Sequence, residues 1–224
     1  MSAGCVSGQT PVPSESREEH EQPASTVRAG APSSGGVRVD HLVTSGTFSL
    51  DGGTWEVDNN VWIVGDDEQC VVIDPAHDTQ AVVEAVGARD TRAVLLTHAH
   101  DDHIRAAVDV AEALRAPIHL HPADTMLWEQ VYPATPFDAE IADGDTYELG
   151  GVTLTAVHTP GHSPGSVCFH APDLGAHGVL FSGDTLFQGG PGATGRSYSD
   201  FGTIIESIRT RLLTLPEGTE VLTG

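Results

Sequence analysis

The chain has 224 residues, enough for one good-sized domain or two small ones, and its 39% apolar share lets it close a core. Its 10 basic residues, all arginine, face 32 acidic ones, for a formal charge of −22. A surface of that sign excludes nucleic acid and anionic membranes as partners, because both need clustered cations; some of the acidity can serve a metal site, where divalent cations offset it.

In chain order, residues 1–36 mix Ser, Pro, Gly and Glu with almost nothing to bury, and a disordered tail is expected there. The tail has no basic region followed by an apolar one, so no secretory signal is expected. No apolar run reaches the length of a membrane span. Cys5, Cys70 and Cys168 lack metal-type spacing, and the last two sit in strand-like runs; buried free thiols and a cytoplasmic location are expected. His41-Leu42-Val43 and Val61-Trp62-Ile63-Val64 read as early strands with a turn at Gly52-Gly53. Cys70-Val71-Val72-Ile73 is a buried strand that stops at Asp74-Pro75. Residues 78–86 read as a helix with Ala81, Val82, Ala85 and Val86 facing inward. Ala93-Val94-Leu95-Leu96 is the next buried strand, followed at once by a histidine cluster. Ile104, Ala107, Val108, Ala111 and Leu114 carry the period of one amphipathic helix, which Pro117 ends before a short strand, Ile118-His119-Leu120.

In the second half, residues 152–157 alternate with period two and form a half-buried strand. Residues 166–170 and 179–182 are two further strands. Ile204, Ile205, Ile208 and Leu212 mark a helix, and Glu220-Val221-Leu222-Thr223 begins one more strand. Two halves of strands and helices suggest an α+β chain of two sheets packed face to face with helices outside.

The chemistry concentrates in Thr97-His98-Ala99-His100-Asp101-Asp102-His103. At the end of a strand, His98 and His100 would point to the same side and share one cation, with Asp102 and His103 entering the pocket from the next turn. Clustered imidazoles and carboxylates at a buried strand end need partners, which a metal supplies. A further ligand is needed, and a position must stay open for water. His162 fits, in the tight loop His158-Thr159-Pro160-Gly161-His162-Ser163-Pro164-Gly165-Ser166. Asp184, in Phe181-Ser182-Gly183-Asp184-Thr185, follows another strand, and its carboxylate has two oxygens with which to bridge two cations. His119 and His121 alternate on a short strand with no patterned co-ligand. His41, His77, His170 and His177 are isolated, and His158 is expected to point away from His162. Arg196, in Gly195-Arg196-Ser197, either holds an anionic substrate group or is a surface arginine.

On these residues the chain resembles the metallo-β-lactamase superfamily, nearest its glyoxalase II-like hydrolases, from about residue 37 onward. The His-x-His-x-Asp-His run, the Thr-Pro-Gly-His-Ser-Pro-Gly-Ser loop and the Ser-Gly-Asp-Thr-Leu-Phe strand end stand in the family's order. The resemblance implies an αββα sandwich of two mixed sheets, with helices on the outer faces and a two-metal site at one edge. It implies that His98, His100 and His162 hold the first metal, that Asp102 and His103 hold the second, and that Asp184 bridges them. Asp74 would order the metal loop. Two zinc ions per chain are implied, with iron as the alternative. A metal-bound hydroxide, oriented by Asp102, would attack the thioester of a small cytosolic thiol, glutathione or mycothiol. The expected partner is that small molecule alone, and nothing in the sequence assigns an oligomeric state. Three alternatives stay open: a mono-iron persulfide dioxygenase using His98, His162 and Asp184; a lactonase or β-lactamase-type hydrolase; and a non-catalytic metal-binding protein. Two departures from the family pattern stand out. Its last metal-binding histidine follows a Thr-Gly pair, here Thr223-Gly224, so the 37–224 domain is expected to be truncated just before it. The helical region with which full glyoxalase II grips glutathione has no room.

Overall fold

The computed structural model describes residues 36–224; the tail expected at residues 1–36 falls, Gly36 apart, outside that range, as does Cys5. The chain opens with a long antiparallel hairpin, β1 (Arg38–Leu50) and β2 (Gly53–Gly65), in unbroken register from Arg38 opposite Gly65 to Leu50 opposite Gly53. The turn is Asp51-Gly52, one residue earlier than the sequence suggested. Both residues take positive φ, 52° and 77°, as a two-residue turn matched to strand twist requires. The hairpin also runs well beyond the two apolar segments. Its outer half is largely solvent-facing, so it carries no hydrophobic signature.

Next come β3 (Gln69–Ile73), α1 (Thr79–Val86), β4 (Asp90–Leu95), α2 (Asp101–Ile104), α3 (Ala107–Leu114), β5 (Ile118–Leu120), α4 (Thr125–Val131) and β6 (Ala139–Glu140). Asp78 caps α1 by accepting from the Ala81 amide at 2.9 Å, and Gly87 ends it with φ 67°. The single helix expected over Ile104–Leu114 is two helices. The Ile104 and Arg105 carbonyls accept from the Tyr132 hydroxyl, at 3.0 and 2.7 Å, and the Ala106 amide turns to the Ala76 carbonyl. The helical ladder is diverted to those partners, and the chain bends where the ligand run ends.

The second half holds β7 (Thr146–Leu149), β8 (Val152–His158), β9 (Val167–Ala171), β10 (Val179–Gly183) and a small hairpin, β11 (Leu186–Phe187) and β12 (Gly190–Pro191). It closes with α5 (Phe201–Ser207), a π-helical turn over Ile208–Leu212, and β13 (Glu220–Thr223). Strand order is β1-β2-β3-β4-β5-β6 in one sheet and β13-β10-β9-β8-β7 in the other. Both sheets are mixed: β3 to β6 are parallel after the antiparallel hairpin, and β13 runs parallel to β10. Between the sheets, Val64, Val71, Ile73 and Leu95 pack with Leu154, Phe169 and Phe181. On one outer face, Val72, Val94 and Leu96 meet Val82, Val86, Val110 and Leu127 of the helices. On the other, Cys168 and Leu180 meet Ile204, Ile208 and Leu212. This is the αββα sandwich the resemblance implied. Cys70 and Cys168 are buried free thiols, as expected. No described helix is long and apolar enough to cross a membrane.

Candidate metal centre

His98 and His100 lie in the loop past β4, which ends at Leu95, rather than on the strand itself, while Asp102 and His103 stand in α2. Loop geometry therefore replaces strand alternation as the reason that His98 and His100 share a pocket. Asp74, just past β3 and in the left-handed region at φ 50°, organises that loop. Its carboxylate accepts from the Thr97 amide and hydroxyl at 2.7 and 2.6 Å, and from His103 Nδ1 at 3.1 Å. Asp74 also lies close enough to His98 and His103 to complete a cation site. Its oxygens are already occupied, however, and the ordering role is the one its contacts describe.

His98, His100 and His162 each place a ring nitrogen within a span of 4.8 Å. His100 Nδ1 is 2.9 Å from His162 Nε2, and the His162 Nδ1–H donates to the Ala193 carbonyl at 2.8 Å. That bond fixes the tautomer and leaves Nε2 with its lone pair facing His100. Beside this set, His103 Nε2 faces Asp184 Oδ1 at 3.3 Å and Asp102 Oδ2 at 3.8 Å, and the other Asp184 oxygen is 3.5 Å from His162 Nε2. Asp184 thus stands between the two groups. It follows Gly183, whose φ of 47° and close approach to Thr97 leave no space for a side chain. Gly224 comes beside the second group as well: a Cβ there would lie 2.6 Å from Asp184 Oδ1 and from His103 Cε1.

The electrostatics separate the two groups. Burial, then the neighbouring imidazoles, lower His98 well below the ordinary range and His100 to about 3, so both are neutral donors of lone pairs. Burial also opposes charge on His103, but Asp184 and Asp102 outweigh it and hold that imidazole well above its usual value. Burial opposes charge on Asp184 too, but His103, His162 and His100 together outweigh it and hold that carboxyl well below the carboxylate range. His98 Nε2, His100 Nε2 and Asp102 Oδ1 are buried with no hydrogen-bond partner. Orphaned buried acceptors of this kind are costly. Divalent cations would satisfy them, and the donor set of imidazoles and carboxylates suits zinc or iron.

Several contributors carry no sequence signature. Asn59, from β2, donates to Asp102 Oδ2 at 3.0 Å while its own carbonyl meets His77 Nε2 at 2.8 Å. Its place at the apolar start of Val61–Val64 was the only hint. Phe48 and Trp55 of the hairpin wall a cavity of about 270 Å³ with Arg196, over a floor of His100, Asp102, His162 and Asp184. The Arg196 guanidinium lies 3.9 Å from the Trp55 ring centre.

Of the other described histidines, His77 reaches the centre through Asn59, and the rest sit elsewhere. His41 bonds Asn60, His119 meets Tyr147, and His158 Nε2–H donates to the Pro164 carbonyl. His158 stacks on His121 with ring centres 4.1 Å apart and planes 9° from parallel. Burial, then His158, push His121 down to about 4. The unfolded imidazole titrates near 6.5, so on acidification the unfolded chain takes up this proton first. The contribution of His121 to stability is therefore full above about pH 7, falls as pH drops towards 4 and levels off below. His121→Asn, which can still cap the Ala123 amide, should lose less melting temperature between pH 7.5 and 5 than the parent, both measured with chelator. Equal losses would show that His121 does not titrate this way.

Residues 54–224 match the Metallo-beta-lactamase superfamily. A probable metallo-hydrolase, YqgX of Bacillus subtilis (strain 168), is 36% identical over 179 residues, 74% of this chain and 83% of its own. The hydroxyacylglutathione hydrolase GloC of Haemophilus influenzae is 32% identical over 181 residues, 74% of this chain and 84% of its own. Among solved structures, the BLEG-1 B3 metallo-beta-lactamase superposes with a TM-score of 0.65 at 30% identity, over 81% of this chain and 91% of its own. TTHA1623 in a di-iron-bound form does so at 0.61 and 28% identity, over 89% of this chain and 90% of its own.

Proposed function

The chain belongs to the metallo-β-lactamase superfamily, and from that premise we propose that it is a two-metal hydrolase of thioesters whose thiol or acyl part bears an anionic group. The observation that carries the substrate class is the cavity in which Arg196, stacked on Trp55, overhangs the cluster of His100, Asp102, His162 and Asp184. Six of the eight described arginines pair with carboxylates. Arg196 does not pair with any carboxylate among the described residues. Arg196 lines the cavity, where its guanidinium would donate to a substrate carboxylate.

His98, His100 and His162 would hold one cation, Asp102 and His103 the other, and Asp184 both. Bound there, such cations lower the pKa of a water towards ~7 and polarise a carbonyl. The chain's own residues supply the rest. Asp102 Oδ1, buried without a hydrogen-bond partner, has two lone pairs, one for the cation and one to orient the attacking water. The amide of Asn59 holds the other Asp102 oxygen still. The cavity offers no lysine, tyrosine or uncommitted histidine to protonate a leaving group. A thiolate departs without one, whereas an amine does not. The likeness to GloC supports the thioester reading, and the di-iron form of TTHA1623 supports iron as an alternative to zinc.

The test is elemental analysis paired with a panel of thioesters, lactones and a chromogenic β-lactam. Thioester turnover should dominate. Arg196→Ala should lower kcat/KM for carboxylate-bearing thioesters by about 10-fold or more, the worth of one hydrogen bond to a charged group, and leave uncharged thioesters unchanged. Iron as the bound metal, with oxygen uptake on a thiol persulfide and no thioester cleavage, would move the chain to the dioxygenase alternative.

A further inference from the structure

The first metal set is drawn from two separate loops, His98 and His100 after β4 and His162 after β8, and something must hold those loops at ligand distance. One buried side chain touches both. Asp124, fully buried just before α4, accepts from the Ala99 amide at 3.0 Å, between the first two histidines. The same oxygen accepts from the Ser163 hydroxyl at 2.7 Å, and the other accepts from the Gly165 amide at 2.6 Å, on either side of Pro164 and next to His162. Position 165 is built for this contact: a Cβ there would sit 2.7 Å from the Asp124 carboxyl carbon and 2.8 Å from Oδ1. Ser163 is fixed in turn by Ser166, whose hydroxyl accepts from the Ser163 amide at 3.0 Å and lies 2.8 Å from its hydroxyl.

We propose that Asp124 is the positioning residue of the first metal site, a clamp that sets the separation of the His98–His100 loop from the His162 loop. The proposal rests on the metal-centre assignment above. Asp124 touches no ligand atom; it acts through the backbone that carries the ligands. An asparagine cannot replace it, because the three donors need two acceptor oxygens. With Asn, an NH2 would face either the Gly165 amide or the Ala99 amide and Ser163 hydroxyl, and at least one backbone amide of the clamp would lose its acceptor.

The experiment uses the full chain and zinc alone. Zinc affinity is measured by competition with a chromophoric chelator, and the visible spectrum of the cobalt-substituted protein reports coordination geometry. Asp124→Asn should weaken zinc binding by ~10–100-fold, as loss of a residue that orients ligands typically does, and should shift or weaken the cobalt bands. Gly165→Ala, which pushes a methyl group against the carboxylate, should act in the same direction, and Ser163→Ala more mildly. Val110→Ala, in the helix core away from both loops, serves as control: it should lower the melting temperature and leave zinc affinity and the cobalt spectrum as in the parent. If Asp124→Asn fails to fold, Gly165→Ala and Ser163→Ala decide. Parental zinc affinity and cobalt spectra in the folded clamp variants would overturn the proposal. A parent chain that takes up no zinc or cobalt would instead overturn the metal-centre assignment itself.

Discussion

Replacing Asp102 with alanine is expected to lower kcat by about 10²–10⁴-fold, the range over which a positioned acid–base group acts, with a smaller change in KM. Asp102 is buried at the floor of the cavity; Asn59 holds one of its oxygens, and the other has no partner. An interaction that operates on the chemical step more than on binding shows up in kcat. Asp101, its neighbour, is the control. The motif leaves that position variable, and alanine should be tolerated there. The structure adds a qualification: Asp101 accepts from the Ser49 amide at 2.9 Å and pairs with Arg105, so it anchors the hairpin tip. Its loss should cost less than about 10-fold, mostly in KM, since its contacts are those of an exposed ion pair and one amide. A larger loss in Asp101→Ala than in Asp102→Ala would place the catalytic carboxylate at Asp101 instead.

His98→Ala and His162→Ala should each empty the first site. The three imidazoles there come from two loops and converge within 4.8 Å, and two imidazoles are a poor hold for a divalent cation in competition with water and chelator. Elemental analysis of the purified variants should fall by about one equivalent relative to the parent, and hydrolysis should fall with it. His121→Ala, by contrast, should keep the parental metal content, because His121 stacks on His158 away from the centre. Full metal in both His98→Ala and His162→Ala would sink the ligand assignment.

Much of the architecture was legible because it rests on burial. The runs Cys70–Ile73, Ala93–Leu96 and Val179–Ser182 are apolar on both faces, and each became a central strand. The candidate ligands stood out because polar clusters at buried strand ends have few structural explanations. What escaped has different physics. The outer hairpin is held by cross-strand hydrogen bonds and faces solvent, so Phe48 and Trp55 had no pattern to place them over the site. Helix α4 spans only seven residues and lies close to Pro122, so its period could not stand out. The break between α2 and α3 is imposed by Tyr132, and the His121–His158 stack joins the residue after β5 of one sheet to the end of β8 in the other. Asp124, in Pro122-Ala123-Asp124-Thr125, has the sequence appearance of an ordinary helix cap, and only its three distant donors reveal otherwise.

The proposed ligands do not all belong to one sheet: His98, His100, Asp102 and His103 follow β4 of the first, His162 and Asp184 follow β8 and β10 of the second. A cation held between them is therefore a cross-link that exists only in the folded chain. Its binding free energy is added to that of folding by mass action, about 4.1 kcal/mol when free metal exceeds its dissociation constant 1,000-fold. Opening of the sandwich would be suppressed by the same factor of about 1,000, and proteases that cut the transiently open chain would lose their substrate accordingly. Supply of metal would then set the lifetime of the protein as well as its activity.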